Sequence, residues 1–298
     1  YFNLDIIFSY PSSIASYLTN RTIYTCIDDI KSSEMNINYE VPQGSVLGPI
    51  LFNLYINDIK SLARTNEINL FADDTSLFIS AKTYIDMNEK ANLVLVKLSQ
   101  WLNINKLTLN IKKTHYLDFS VKKCEHQLNL KLNGELIEQT NKTKYLGLII
   151  QDDLKWNNHI KSIINKLNRQ IPIYLTLRNM LSHSKLKLIY KSLSLSIINY
   201  AIELYAKNQN KWLLQLQKTQ NRLLKILFKK PKQFRTNALH KKLQILKVKD
   251  HANLRLSLIC HKFIYNKKEF KKCMKRTFWN NIKFLFKNYQ TIVDTFLK

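Results

Sequence analysis

The sequence predicts an α+β chain whose first part mixes strands with helices and whose second part is helical throughout. Two observations carry this. Over residues 1–160, β-branched and aromatic runs alternate with turn residues and with apolar residues at helical spacing. Over residues 161–298, apolar residues recur every three or four positions with no strand-like alternation. No repeat or low-complexity linker separates the two parts, so the boundary is a change of structural class.

Pro11, Ser12 and Ser13 open a short helix that runs to Leu18. Residues 22–27 and 35–41 read as a hairpin around Asp28 and Asp29. After Pro42, the spacing of Val46, Leu47, Ile50, Leu51, Leu54 and Tyr55 predicts a helix to about Leu62. "NLFADDTSLFIS", residues 69–80, has strand composition on both sides of Asp73 and Asp74, so the acids sit where a tight turn reverses the chain. Thr83 and Asp86 resemble a capping box and open a helix to about Asn103. Strands are expected near residues 114–121, 128–132, 135–139 and 144–150. Asn133 followed by Gly134, between two such runs, is a strong hairpin signal. From about Asn157 onward come helices, among them "SKLKLIYKSLSLSIINY" and "WLLQLQKTQNRLLKILF".

Composition narrows the partner. The 298 residues are 45% hydrophobic, enough to bury a real core rather than remain disordered. Lys plus Arg number 47 against 21 for Asp plus Glu, a formal net charge of +26. Such an excess points to a polyanion, most often nucleic acid; the plainer alternative is a solubilising surface. Lys229, Lys230, Lys232 and Arg235 gather around Pro231, and Lys271, Lys272, Lys275 and Arg276 form a second cluster. Cys26, Cys124, Cys260 and Cys273 are scattered, which argues against a disulfide framework and for a reducing compartment. Cys124, Glu125 and His126, or Cys260 and His261, hint at zinc, but nothing nearby completes four ligands. No stretch of about 20 apolar residues is present, so no transmembrane helix is expected. No signal peptide is evident, and an intracellular location, cytoplasm or nucleus, is expected. The chain begins at Tyr1 rather than Met, as a piece of a longer protein would.

Ahead of the acid pair lies "VPQGSVLGPILFNLYINDI", residues 41–59. The chain has only 4 glycines, and Gly44 and Gly48 both fall here, beside the polar Gln43. Glycine permits close approach of a ligand or another backbone. A helix entry turn explains Pro42 and Ser45, but not this concentration of a scarce residue. Taken alone, Asp73 and Asp74 still read as a solvent-facing turn, because an Asp side chain bonds nearby backbone.

Together these stretches resemble the reverse transcriptases of non-LTR retrotransposons, the jockey-like group in particular. "PQGSVLGPILFNLYIND" is similar to that family's template- and nucleotide-contacting loop and adjoining helix, and "LFADDTSLF" to its catalytic hairpin. "WLNINKLTLNIKKTHYLDF" resembles the next motif, with Lys113 and Thr114 at its basic position. "KYLGLIIQDDLKWNNHI" resembles the primer-grip hairpin and the stretch after it. "LQKTQNRLLKIL" resembles a stretch of the helical C-terminal part.

The resemblance implies a right-hand polymerase palm, an antiparallel sheet with packed helices, followed by an all-helical thumb and C-terminal region. It implies two Mg²⁺ or Mn²⁺ ions, an RNA template, a DNA primer and deoxynucleoside triphosphates. Nucleotidyl transfer by two ions needs hard oxygen ligands, and adjacent carboxylates supply them. By resemblance, Asp73 is the principal metal ligand and Asp74 the supporting one. Pro42, Gln43, Gly44, Phe71 and Ala72 would lie against template and nucleotide, with Phe71 and Phe78 also expected to pack the hairpin. Lys113 is either a donor of a proton to pyrophosphate or a surface lysine. Tyr145, Leu146 and Gly147 either brace the primer or form an ordinary strand with a glycine bulge. Lys229, Lys230, Lys232 and Arg235 are the expected nucleic-acid patch.

In one respect the sequence departs from the family pattern. A third carboxylate is expected on a strand well before the Pro-Gln-Gly loop, after an aromatic residue. "SYLTNR", residues 16–21, matches a stretch downstream of that strand, and Asp5 is the sole acid before it, with the wrong spacing and surroundings. The first catalytic strand, most of the fingers, and the aromatic residue that excludes a ribose 2′-hydroxyl are therefore expected to lie outside this sequence. No endonuclease, RNase H or zinc-knuckle pattern is present. Three readings stay open: a fragment of an RNA-directed DNA polymerase that works only within a longer protein, a non-catalytic nucleic-acid-binding remnant, or a decayed element without function.

Overall fold

The computed structural model describes residues 11–37, 41, 44–62, 68–120, 128–206 and 211–265. Pro42, Gln43, Asp5, Cys124, Glu125, His126 and the cluster from Lys271 to Arg276 lie outside the described residues. The elements are α1 (Pro11–Leu18), β1 (Arg21–Ile23), β2 (Cys26–Ile27), β3 (Ile30–Lys31), β4 (Met35–Ile37) and α2 (Gly48–Tyr55). A 3₁₀ helix (Asn57–Leu62), β5 (Ile68–Phe71), β6 (Asp74–Leu77), α3 (Tyr84–Ile104) and β7 (His115–Tyr116) come next. Then come β8 (Lys131–Leu132), β9 (Glu135–Leu136), β10 (Glu138–Gln139), β11 (Lys142–Tyr145) and β12 (Leu148–Gln151). The remaining helices are α4 (Asn157–Asn168), α5 (Ile171–Met180), α6 (His183–Tyr190), α7 (Ser196–Asn199), α8 (Ile202–Tyr205), α9 (Lys211–Leu227), α10 (Thr236–Leu243) and α11 (Val248–Tyr265). The α+β class expected from the sequence is the class observed. Helices alone come after Asn157 among the described residues.

The strands do not merge into one broad antiparallel sheet among the described residues. They form six two-stranded ladders, five antiparallel and one parallel, the last joining β7 to β10. The reason is local: most ladders close across a two-residue turn. Asp28 and Asp29 (φ 47° and 66°) turn β2 into β3, and Asn133 and Gly134 (φ 52° and 84°) turn β8 into β9. Positive φ at both turn positions matches the right-handed twist of the flanking strands. The run read from composition as a strand over residues 144–150 is the hairpin β11–β12, reversed at Leu146 and Gly147, where the resemblance implied a primer-grip hairpin.

The chain clusters into two compact units: Tyr1–Tyr116 with Lys122–Gln139, and Leu117–Val121 with Thr140–Lys298. The β11–β12 hairpin, grouped by sequence with the first 160 residues, clusters with the helical unit. In the first unit α3 is the organising element. Thr83 caps it, its side chain accepting from the Asp86 N–H at 3.1 Å. Its buried stripe, Ala91, Val94, Leu95, Leu98, Trp101 and Leu102, keeps helical spacing. The Leu98 end packs with Ile56, Ile59 and Ile68, and the Ala91 end with Leu130, Leu132 and Ile137. Asn92 satisfies backbone at the second cluster, donating to the Asn129 carbonyl at 2.8 Å and accepting from the Lys131 N–H at 3.0 Å.

In the helical unit α9 runs through the core and packs on α4 and α5. Leu213, Leu216, Leu223, Leu224 and Leu227 form its buried stripe. Gln220, fully buried in the same stripe, donates to the Tyr190 hydroxyl and to the Leu246 carbonyl, both at 3.1 Å. Gln217 accepts from the Val248 N–H at 2.8 Å. These amides meet backbone groups that the core would otherwise strand. Leu216→Ala should lower unfolding stability by roughly 2–5 kcal/mol, through lost transfer energy plus the cavity left behind. Urea unfolding monitored by circular dichroism measures it, and a loss under about 1 kcal/mol would mean α9 is not packed as described.

Candidate active site

The acid pair sits at the tip of the β5–β6 hairpin. Phe71 pairs with Asp74, so Ala72 and Asp73 make a two-residue turn, with Ala72 at φ 50°. A non-glycine residue in the left-handed region costs roughly 1–2 kcal/mol and persists only where its surroundings hold it. The surroundings are at the other end of the hairpin. Ile68 is buried, and Leu70 and Leu77 pack with it against Leu98, Trp101 and Leu102 of α3. The Trp101 indole donates to an Asp58 carboxylate oxygen at 3.3 Å, tying α3 to the 3₁₀ helix beside the hairpin root.

Strand alternation turns the opposite face outward. Phe71 is 61% exposed and Phe78 51%, which corrects the expectation that these rings pack the hairpin. The packing falls to Leu70 and Leu77, one position away from each ring. Asp73 and Asp74 are both exposed at the tip. Their four carboxylate oxygens suit a hard dication such as Mg²⁺, which commonly takes one or two protein carboxylates and fills its octahedron with water and substrate phosphates. No third His, Cys, Asp or Glu joins them among the described residues.

The loop before α2 carries Gly44, exposed at φ 81°, and there the Ser45 hydroxyl accepts from the Gly48 N–H at 3.0 Å. Lys113 is exposed and ends a single 3₁₀ turn, Ile111–Lys113. Thr114 donates to the Asn110 carbonyl across that turn at 3.0 Å. Lys229 (φ 50°), Lys230, Lys232 and Arg235 share the loop between α9 and α10, with the Lys230 ammonium 5.4 Å from the Phe234 ring centre. Lys225 donates to the Lys232 carbonyl within the same loop.

Tyr145, Leu146 and Gly147 form the β11–β12 turn. Tyr200 braces it in a way the sequence did not suggest: its hydroxyl donates to the Leu146 carbonyl at 2.6 Å. A Cβ on Gly147, at φ 81°, would stand 3.4 Å from the Tyr200 ring. The far strand is held by α4, where the Ile149 N–H donates to His159 Nδ1 at 3.3 Å. His159 is buried between the Trp156 and Tyr205 rings, at centroid distances of 6.0 and 5.2 Å. Burial first, and the charge of Lys166 second, push its pKa from 6.5 down to about 4.

Residues 6–150 match the family model described as reverse transcriptase (RNA-dependent DNA polymerase). This segment belongs to the reverse transcriptase family. The chain is 26% identical over 249 residues to the RNA-directed DNA polymerase from mobile element jockey of Drosophila melanogaster. It is 25% identical over 251 residues to the probable RNA-directed DNA polymerase from transposon X-element, and 24% over 255 to that from transposon BS, both of the same organism. The three alignments cover 80–82% of this chain but only 27–28% of those relatives. No solved structure gives a significant match. The reverse transcriptase segment thus contains both the acidic hairpin and the β11–β12 turn. Among the described residues, no helix is long and apolar enough to cross a membrane.

Gly147→Ala should destabilise the β11–β12 turn by roughly 1 kcal/mol or more, because a residue with a Cβ is strained at φ 81°. Thermal unfolding reads it, and Asn or Asp at the same position should cost less than Ala. Stability of the helical unit should also depend on pH. His159 binds its proton more weakly folded than unfolded, so its contribution is complete above pH 6.5 and falls as pH drops toward about 4. Urea titrations across that window should lose that slope in His159→Gln.

Proposed function

We propose that this chain is part of an RNA-directed DNA polymerase of a jockey-like non-LTR element. Residues 1–160 supply part of the palm with the primer grip, and residues 161–298 the thumb and C-terminal region. The observation that carries the reading is the acid pair at the tip of a hairpin anchored in the core, inside the segment that matches reverse transcriptases. The reaction joins a primer 3′-hydroxyl to the α-phosphorus of an incoming deoxynucleotide, with an RNA template choosing the base. The O–P bond forms as the bond to pyrophosphate breaks, and the hydroxyl proton leaves to solvent or a base.

Two bound Mg²⁺ or Mn²⁺ ions would activate the attacking oxygen and neutralise the leaving one. Asp73 and Asp74 would hold the ions, and the buried hairpin root fixes where the two carboxylates stand. Exposed Phe71 and Ala72 present the tip surface to nucleotide and template, together with Pro42, Gln43 and Gly44. Lys113 offers an ammonium to the triphosphate and a proton to departing pyrophosphate. The Leu146–Gly147 turn, with Tyr145 before it, grips the primer. Lys229, Lys230, Lys232 and Arg235 add sequence-independent backbone contacts. Asp5, out of spacing with the family's third acid, is not a ligand.

Two carboxylates without substrate phosphates bind a dication weakly, because affinity depends on ligand number and charge. Mn²⁺ titration monitored by electron paramagnetic resonance, without nucleotide, should show weak binding that Asp73→Asn or Asp74→Asn abolishes. Tight micromolar binding that Asp5→Asn removes would overturn this ligand set. The chain alone should not extend a primer detectably on RNA. With a segment bearing the aromatic–Asp strand joined ahead of Tyr1, Mg²⁺-dependent extension should appear and Asp73→Asn should abolish it. A joined protein that binds template and primer yet stays silent would favour the non-catalytic reading.

A further inference from the structure

The helical path from His183 to Tyr205 is interrupted twice. Lys191–Leu195 winds as a π turn between α6 and α7, a feature found often at functional sites. At the second interruption Tyr200 leaves helical geometry (φ −64°, ψ 111°), and Ala201 follows in the left-handed region at φ 52°. Neither glycine nor proline stands at this break. The break aims Tyr200 at the β11–β12 turn, where its hydroxyl donates to the Leu146 carbonyl at 2.6 Å. Its ring lies beside Gly147 of the same turn. We propose that Tyr200 is a positioning residue for the primer terminus, acting through the Leu146–Gly147 turn; this rests on reading that turn as the primer grip of a polymerase.

Stability does not account for this contact. Tyr200 is 54% exposed and Gly147 is exposed, so water could serve the Leu146 carbonyl if the hydroxyl were absent. One exposed hydrogen bond contributes no more than one strained residue costs. Here two non-glycine residues in the left-handed region, Leu146 at φ 46° and Ala201 at φ 52°, flank a single bond. Such strain persists only where the surroundings over-determine it. Ile198 and Ile202, both fully buried, stand on either side of Tyr200 in the chain, and the Tyr205 hydroxyl donates to the Ile198 carbonyl. At the other end, the Ile149 N–H of β12 donates to buried His159. The core therefore fixes both partners of a contact that is itself at the surface. What the arrangement yields is a fixed position for the turn.

A primer terminus needs such a fixed support. Reaction requires the 3′-oxygen at about 3–3.5 Å from the α-phosphorus, and a misplacement of about 1 Å can cost on the order of a hundredfold in rate. The β11–β12 hairpin pairs with no other strand among the described residues, so its turn can pivot about its root. A tether at the turn itself stops that pivot. A phenol suits the task, being rigid with few torsions and carrying its donor at the tip. Its partner is a backbone carbonyl, so the bond fixes the chain and not merely a side chain. Without the hydroxyl the hairpin keeps its ladder and its His159 support, but the turn is free to shift. The basic residues proposed to hold the duplex are untouched. The loss should therefore fall on the rate of addition and not on affinity.

The full chain is titrated onto an RNA template with a DNA primer whose 3′-terminal base is 2-aminopurine, in EDTA and without nucleotide. The wild-type chain should change the terminal fluorescence, and Tyr200→Phe should lose most of that change while binding the duplex as tightly as wild type. The same label in the interior of the primer should report no difference between them. Tyr174→Phe removes a buried hydroxyl of the same unit from Ser194. It should lower the unfolding temperature and leave the terminal signal as wild type. With the upstream segment joined ahead of Tyr1, Tyr200→Phe should slow single-nucleotide addition at saturating nucleotide by roughly tenfold, less than a full 1 Å displacement would, with KM for template–primer unchanged. A wild-type chain that leaves the terminal signal unchanged overturns the inference. So does a wild-type signal in Tyr200→Phe, or an equal loss in Tyr174→Phe. Loss of signal matched by loss of affinity also overturns it, because Tyr200 would then be a binding residue. A joined protein that never extends a primer counts against the polymerase reading alone, since the terminal signal is read without metal or nucleotide.

Discussion

The pleat of one short hairpin governs what the acid pair can do. Side chains alternate across a strand, so the burial of Ile68 against α3 fixes the facing of every residue from there to Leu77. Leu70 and Leu77 go into the core; Asn69, Phe71 and Ser76 go out. A slip of one residue would turn Asn69 and Ser76 toward α3 and expose Leu70 and Leu77, burying polar groups where the apolar root now packs. The apolar root therefore holds the acids at the surface, where phosphates and hydrated ions can reach them. The same root tolerates Ala72 in a backbone region that an isolated turn would leave.

The second hairpin solves a similar problem by different means. Its strands are too short to make a core, and its turn puts Leu146 at φ 46°. It is held from outside, by the Tyr200 hydroxyl on the turn carbonyl and by the neutral imidazole of His159 on strand backbone. Both supports come from the helices of the same unit. The placement of the turn thus depends energetically on the folding of those helices. Amides of α9 perform the matching task in that unit, where half-buried Gln217 and buried Gln220 meet Val248 and Leu246.

Much of this is legible in the sequence. The capped start of α3, the Asn133–Gly134 turn and the amphipathic stripe of α9 each rest on interactions within a few residues, and local pattern reveals such interactions. Asp73 and Asp74 are legible for the same reason, at a tight reversal between strand-like runs. The exposure of Phe71 and Phe78 is not, because hydrophobicity does not say which face of a strand is covered; the neighbouring leucines match α3 instead. Composition alone reads the β11–β12 hairpin as one strand, because Leu146 is a poor turn residue; only the resemblance to a primer-grip hairpin implied a reversal there. Its turn depends on Tyr200, more than fifty residues on.

What the sequence determined alone is the class of each half, the acid pair at a chain reversal, and a charge of +26 that calls for a polyanion. These come from periods of two and 3.6 residues, turn chemistry and a count of ions, all of which are local or additive. Only the tertiary structure decided that the Tyr200 hydroxyl meets the Leu146 carbonyl. Groups brought together from separate elements owe their meeting to the burial of Ile198 and Ile202 on either side of Tyr200 and to the Ile149–His159 hydrogen bond that pins the hairpin. Those contacts join residues distant in sequence, and no spacing along the chain encodes them.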